Sequence, residues 1–259
     1  MPQSVANPTI LACRSASYRP HEALAYAHLS GLLVRHVEIP VPATDKIGAC
    51  AAELARFGLT ATSLHGECDL SRPDVADQVA GQMPAFEALG ARIMFVSVRA
   101  DDTPVEVAYE RLRAAGEVAA RHGVVIALET HPDLVTNGRV AIQTMQGVNH
   151  PHVRINFDTA NVYFYNRDVD AVEELRHALP YVAACHLKDT DGGYRHWHFP
   201  ALGRGIVDFR AIFSLLDAAS FAGPCTLEIE GIEGEDRTER LVCDRVAESV
   251  GYLRGLGRI

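Results

Sequence analysis

Short apolar runs rich in β-branched residues alternate along this chain with longer runs whose apolar positions recur every three or four residues. The short runs read as strands buried on both faces. They fall at 9–13 (TILAC), 32–39 (LLVRHVEI), 59–65 (LTATSLH), 91–98 (ARIMFVSV), 124–129 (VVIALE), 153–158 (VRINFD), 182–187 (VAACHL) and 225–230 (CTLEIE). The longer runs predict helices near 20–30, 44–57, 73–89, 103–123, 138–148, 168–179, 208–221 and 236–255. The sharpest is 103–123, where Thr103 predicts an N-cap, Pro104 takes the first helical position and Glu106 closes a capping box. Its apolar residues Val105, Ala108, Leu112, Ala115, Val118 and Ala119 share one face, and Gly123 is its stop signal.

Eight strand–helix units in 259 residues amount to roughly 32 residues each, the grammar of parallel strands joined by right-handed crossovers. The expected fold is α/β, a single (β/α)8 TIM barrel over 1–259. An open doubly wound sheet is the rival, but no G-x-G-x-x-G follows the first strand.

Composition narrows the function classes. No run of about 18 apolar residues is present, so no membrane span is expected. The first residues lack the basic-then-apolar order of a secretory signal. The six cysteines, at 13, 50, 68, 185, 225 and 243, are scattered without a C-x-x-C pair, which suits reduced thiols and a cytoplasmic location. A net charge of −9 argues against a nucleic-acid partner. A small-molecule partner is expected, and a homo-oligomer is compatible with the chain.

Function on a barrel collects at the C-terminal ends of the strands. The fifth to eighth strands deliver Glu129, Asp158, His186 and Glu228 there, four metal-type ligands at the same depth. Any one of them could simply cap the next helix; four in register on consecutive strands predict a site. Carboxylates with one imidazole make an oxygen-rich donor set, suited to one divalent ion, Mn²⁺ first, with Mg²⁺, Co²⁺ or Zn²⁺ as alternatives. Side chains two apart share a strand face, which adds His131, Lys188 and Glu230 as a rim facing substrate. Parity does not separate Glu228 from Glu230, and depth favours Glu228. On the other half of the barrel, His65 is a substrate-contact candidate, with Glu38 and Glu67 behind it.

The motifs LETHPDLVTNG, INFDTAN, HLKDTDGGYRHWHFPALGRGIVDF and GPCTLEIEG resemble the xylose isomerase-like TIM barrels, in particular the sugar phosphate isomerase/epimerase group. In ketose 3-epimerase-like members of that group, a Glu, an Asp, a His and a Glu on successive strands bind one divalent metal. The resemblance places these on Glu129, Asp158, His186 and Glu228, and gives the two glutamates a second role in moving the proton. Two positions depart from the pattern. Asn161 stands where many relatives carry a His, and Arg204 replaces the Glu of a G-E-G.

The implied function is a divalent-metal-dependent isomerase or epimerase of a sugar or sugar derivative. It would act by proton transfer through a metal-stabilised enediolate. Lys188, His131 and His65 could polarise substrate oxygens; a structural Lys188 would instead pair with Asp189 or Asp133. Asn161 is a further substrate-contact candidate, and the long segment 190–207 adds Arg195 and Trp197, with Trp197 either covering the substrate or anchoring the loop. Its H-x-H at His196 and His198 follows the seventh strand, whereas amidohydrolase barrels carry theirs on the first. Alternatives are a lyase dehydrating a keto-inositol or related keto-polyol at the same site, an abasic-site endonuclease, and a sugar-binding barrel without catalysis.

Overall fold

A computed structural model describes residues 10–259. Eight parallel strands close into a barrel. In order around it are β1 (Ile10–Arg14), β2 (His36–Pro40), β3 (Thr60–His65), β4 (Ile93–Val96), β5 (Val125–Glu129), β6 (Val153–Asp158), β7 (Val182–Leu187) and β9 (Pro224–Leu227), which pairs back onto β1. Two short strands outside the barrel, β8 (His198–Phe199) and β10 (Gly231–Ile232), pair antiparallel. The helices are α1 (Ala25–Gly31), α2 (Ile47–Arg56), α3 (Val75–Leu89), α4 (Val105–Arg121), α5 (Gly138–Val148), α6 (Asn161–Tyr165), α7 (Ala171–Ala178), α8 (Phe209–Ala218) and α9 (Glu239–Gly255). Among the described residues no helix is long and apolar enough to cross a membrane.

Strand parity explains where the core sits. Outward-facing Val37, Leu64, Met94, Ile126, Leu128, Ile155 and Leu187 belong to one large apolar cluster that runs to the buried faces of the helices. Ile93, Ala127 and Ala184 form a small separate cluster on the opposite strand faces, inside the barrel. Helix starts are pinned where the sequence offers short polar side chains. Asn137, Asp170, Asp208 and Thr238 each accept a backbone N–H from the first turn that follows.

Several boundaries differ from the sequence reading. The second strand starts at His36, since Leu32 and Leu33 form a turn with Leu33 at φ +59°. The fourth strand is confined to Ile93–Val96, and the last leaves the ladder after Leu227 rather than at 230. Thr103 does not cap α4. Its N–H closes a turn on the Ala100 carbonyl and its hydroxyl donates to the Leu70 carbonyl, so Pro104 takes the cap position and the capping box is not made. Gly123 does end that helix region, with φ +64° and its N–H on the Ala120 carbonyl. Helix α6 is additional: five residues are too few to show a helical period. Residue 9 of the first strand range lies outside the described residues.

Candidate metal centre

Glu129 ends β5, Asp158 ends β6, His186 is the penultimate residue of β7, and Glu228 follows β9 directly. The ladder sets their level: Asp158 pairs with His186 and Glu129 with Asn156. One ligand atom from each of the four lies within 4.8 Å of the other three. All are buried, with exposures of 6%, 0%, 0% and 2% in chain order. Ala127, Asn156, Ala184 and Thr226 lie two residues back on the same strand faces, so the cluster rests on a layer of mostly small side chains.

Each charged group has an identifiable partner. His186 Nδ1 lies 3.0 Å from Glu228 and 3.4 Å from Glu129, and its Nε2 lies 3.2 Å from Glu38. Glu38 also accepts the Ser63 hydroxyl at 2.7 Å, and Ser97 donates to Glu129. Arg14 pairs with Glu228, lies 3.5 Å from Glu38, and sets a second guanidinium nitrogen 3.2 Å from His65 Nδ1. Lys188 pairs with Glu230 and reaches Glu228 at 3.4 Å and Asp158 at 3.5 Å. Asp158 Oδ1 accepts the N–H groups of Ala160 and Asn161, each at 2.8 Å. Its Oδ2 is buried and accepts no hydrogen bond.

The charges govern one another's protonation. Burial alone would raise the Glu129 carboxyl, but His186, Lys188 and Arg14 more than offset it and hold it below the usual carboxylate range. Glu38 is lowered in the same way, against its burial, by His186 and Arg14. Asp158 moves the other way: burial raises it, and Lys188 compensates only in part. Burial would lower the His186 imidazole, yet Glu38 and Glu129 bring it up to about 9. Five carboxylates (Glu38, Glu129, Asp158, Glu228, Glu230) meet three cations (Arg14, Lys188 and protonated His186), a formal surplus of two negative charges.

The residues predicted to surround this group separate into two sets. Lys188 and Glu230 join it, and Lys188 pairs with neither Asp189 nor Asp133. Asp189 instead accepts the N–H groups of Thr190, Gly203, Gly205 and Val207, while Asp133 accepts those of Ala100 and Asp101. Asn161 joins by holding Lys188 Nζ at 3.1 Å and donating to the Thr130 carbonyl. His65 lies against the face of Phe95, whose ring centroid is also 4.6 Å from that of His186. His131 packs on Tyr165 and faces Arg99. Trp197 is 42% exposed, edge-on to Phe164 and Phe199, and lines a cavity of about 250 Å³ with Arg14, Glu228, Glu230 and Arg237. Arg195 is exposed over Tyr194, and Arg204 pairs on the surface with Glu248. Glu67 is exposed, its backbone tied to Gln82.

Arg14 was not foreseen. The signal was there, because it ends the first strand at the depth of the other four, but cations were not among the metal-type residues sought.

The sequence profile described as "Xylose isomerase-like TIM barrel" matches residues 31–246. The chain belongs to the xylose isomerase-like TIM barrel family. Among curated proteins, L-ribulose-5-phosphate 3-epimerase of Shigella flexneri is 29% identical over 140 residues, which is 52% of this chain and 47% of that protein. The chain thus spans about half the length of the curated relatives it matches. Solved structures extend the fold likeness over nearly the whole chain. A xylose isomerase domain protein from Planctomyces limnophilus superposes with TM-score 0.79 at 20% identity, covering 96% of this chain and 97% of that one. D-psicose 3-epimerase of Clostridium cellulolyticum H10 superposes with TM-score 0.76 at 15% identity, covering 95% and 99%. In this xylose isomerase-like barrel, the buried cluster of three carboxylates and an imidazole can hold a metal ion.

Proposed function

We propose that this protein is a divalent-metal-dependent isomerase or epimerase of a small sugar or sugar derivative. The carrying observation is the buried group Glu129, Asp158, His186 and Glu228, in which Asp158 Oδ2 accepts no hydrogen bond and has only the Lys188 ammonium, 3.5 Å away, beside it. A metal-bound imidazole is neutral, so a divalent ion would take the place of the His186 proton and offset the negative charge that Arg14 and Lys188 leave uncompensated among the five carboxylates. The donor set, oxygen-rich and free of cysteine, suits Mn²⁺ first. The named activity of the partly matching curated relatives, 3-epimerisation of a ketose phosphate, supports the same class.

When bound, the ion supplies Lewis-acid stabilisation for negative charge on adjacent substrate oxygens. The chain's own residues do the rest. Glu129 and Glu228 stand three strands apart around the ring of eight, flanking Asp158 and His186. One carboxylate can therefore take a proton from the carbon beside a carbonyl while the other returns one from the opposite side. Ser97 orients Glu129, and Arg14 orients Glu228. Lys188, fixed by Asn161, brings a cation to the mouth, where a substrate oxygen would meet it.

The test is a keto-sugar and keto-polyol panel with Mn²⁺ in deuterated water, read by NMR. Deuterium should enter the carbon next to the carbonyl with product mass otherwise conserved. Product formed without that deuterium overturns the proton-transfer reading, and loss of water would assign a dehydratase instead. Glu129→Gln and Glu228→Gln should each lower turnover by about 10²–10⁴-fold.

A further inference from the structure

The loop after β7 carries a second set of metal-type donors apart from the buried centre. Asp191, His196 and His198 each offer one ligand atom, and the three atoms lie within 4.8 Å of one another. We propose that these side chains form a second metal site, for a borderline divalent transition ion of the zinc, nickel or cobalt class. Two imidazoles with one carboxylate select such ions over Mg²⁺ or Ca²⁺, which demand oxygen. This inference stands independently of the activity proposed above.

The local chain builds the grouping. The Gly193 N–H donates to Asp191 Oδ1 at 2.9 Å, and the His196 N–H donates to the Gly193 carbonyl at 3.2 Å. Arg195, at φ +52°, takes the left-handed conformation that non-glycine residues seldom adopt. The turn folds His196 back until its Nδ1 is 2.7 Å from Asp191 Oδ2. His198 then places its ring beside that of His196, with centroids 5.7 Å apart and planes inclined by 25°. Asp191 is the sole side chain among the described residues that hydrogen-bonds either imidazole.

Ligand atoms on a tetrahedral zinc lie roughly 3.3 Å apart, given zinc–ligand bonds near 2 Å. An ion would therefore replace the Asp191–His196 hydrogen bond by parting the pair about half an ångström. His196 is 53% exposed, so the side chains have room to do this and the remaining coordination positions face water. The consequence lies in the loop. His198 belongs to β8, paired at Ile232 of β10, and the Glu233 N–H donates to the Trp197 carbonyl. An ion on these ligands would tie the start of the loop to this strand pair and fix Trp197, which sits between the two histidines, at the rim of the cavity beside Glu228.

Trp197 is the only tryptophan, so it reports on its own neighbours. Chelator-stripped parent, His196→Gln/His198→Gln and His196→Gln proteins are equilibrated with micromolar free zinc by dialysis and their zinc is counted. The parent should hold one zinc per chain more than either variant, whatever number the buried centre retains. Nickel, which quenches indole emission at short range, should quench Trp197 saturably in the parent and at least tenfold more weakly in the variants. Circular dichroism checks that the variants keep the fold, and the single change at an exposed position carries the comparison if the double one does not. Equal zinc counts in parent and variant overturn the site.

Discussion

Lys188 shows how closely charge is matched at the level of single residues. It is a buried ammonium at the mouth of the barrel, and burial alone would lower its pKa. Asp158, Glu230 and Glu129 raise it instead, so it stays charged. Removing one partner of a buried ion group leaves the others uncompensated. Lys188→Met should therefore cost the metal-free protein on the order of 3 kcal/mol, measured by urea unfolding. Parent-like stability in that variant would mean the carboxylates take up protons instead. His65 gives a pH signature. Burial, and then Arg14, pushes its imidazole down to about 4. Between pH 4 and 6.5 the unfolded chain binds a proton there that the folded one does not, so stability rises with pH across that window. The effect is on the order of 2–3 kcal/mol, and His65→Gln should flatten that part of the pH–stability curve of the stripped protein.

At the scale of elements, the Asp189 side chain draws together the two ends of the loop from Asp189 to Val207. The Asp189 carboxylate accepts four backbone N–H groups, three of them from residues 14 to 18 positions ahead. Gly205 passes so close that a Cβ there would lie 2.2 Å from the Thr190 carbonyl oxygen. Asp189→Ala strands four donors and should open 190–207 to limited proteolysis, with a loss of about 2–4 kcal/mol; an intact loop under protease would refute this. The sequence signalled that this segment matters by its length, but not its anchor, because backbone donors have no sequence signature. The strands carrying Asp158 and His186 were legible to the residue, since VRINFD and VAACHL are short apolar runs with polar residues following directly or within them near the end, too short to show a helical period. The second strand was not, because Leu32 and Leu33 extend the apolar run although the chain turns there. Likewise Thr103–Pro104–Glu106 has the letters of a capping box, and a tertiary partner at Leu70 took the hydroxyl. The four-residue cluster could be anticipated because a barrel brings strand ends to one level. The level of Arg14 was legible in the same way, but its pairing with Glu228 and the Asn161–Lys188 link were not, since they depend on which long side chains reach across the mouth.

For the molecule as a whole, the proposed ion should act as a stabiliser, since it would bind the closed barrel and not the unfolded chain. At a hundred times its dissociation constant a ligand adds about 2.7 kcal/mol. Mn²⁺ should raise the melting temperature of stripped protein, EDTA should reverse the rise, and Asp158→Asn should abolish it. An unchanged melting curve would count against the buried centre. Closure itself has a further consequence for synthesis. Arg14 lies on the first strand and its partner Glu228 follows the last, so the two meet only when β9 docks between β7 and β1. A chain emerging from the ribosome has made Glu38, Glu129, Asp158 and His186 long before Glu228 appears. An ion-loaded centre would thus certify that the final strand is in place. Incomplete or truncated barrels would stay unmetallated and inactive rather than partly competent.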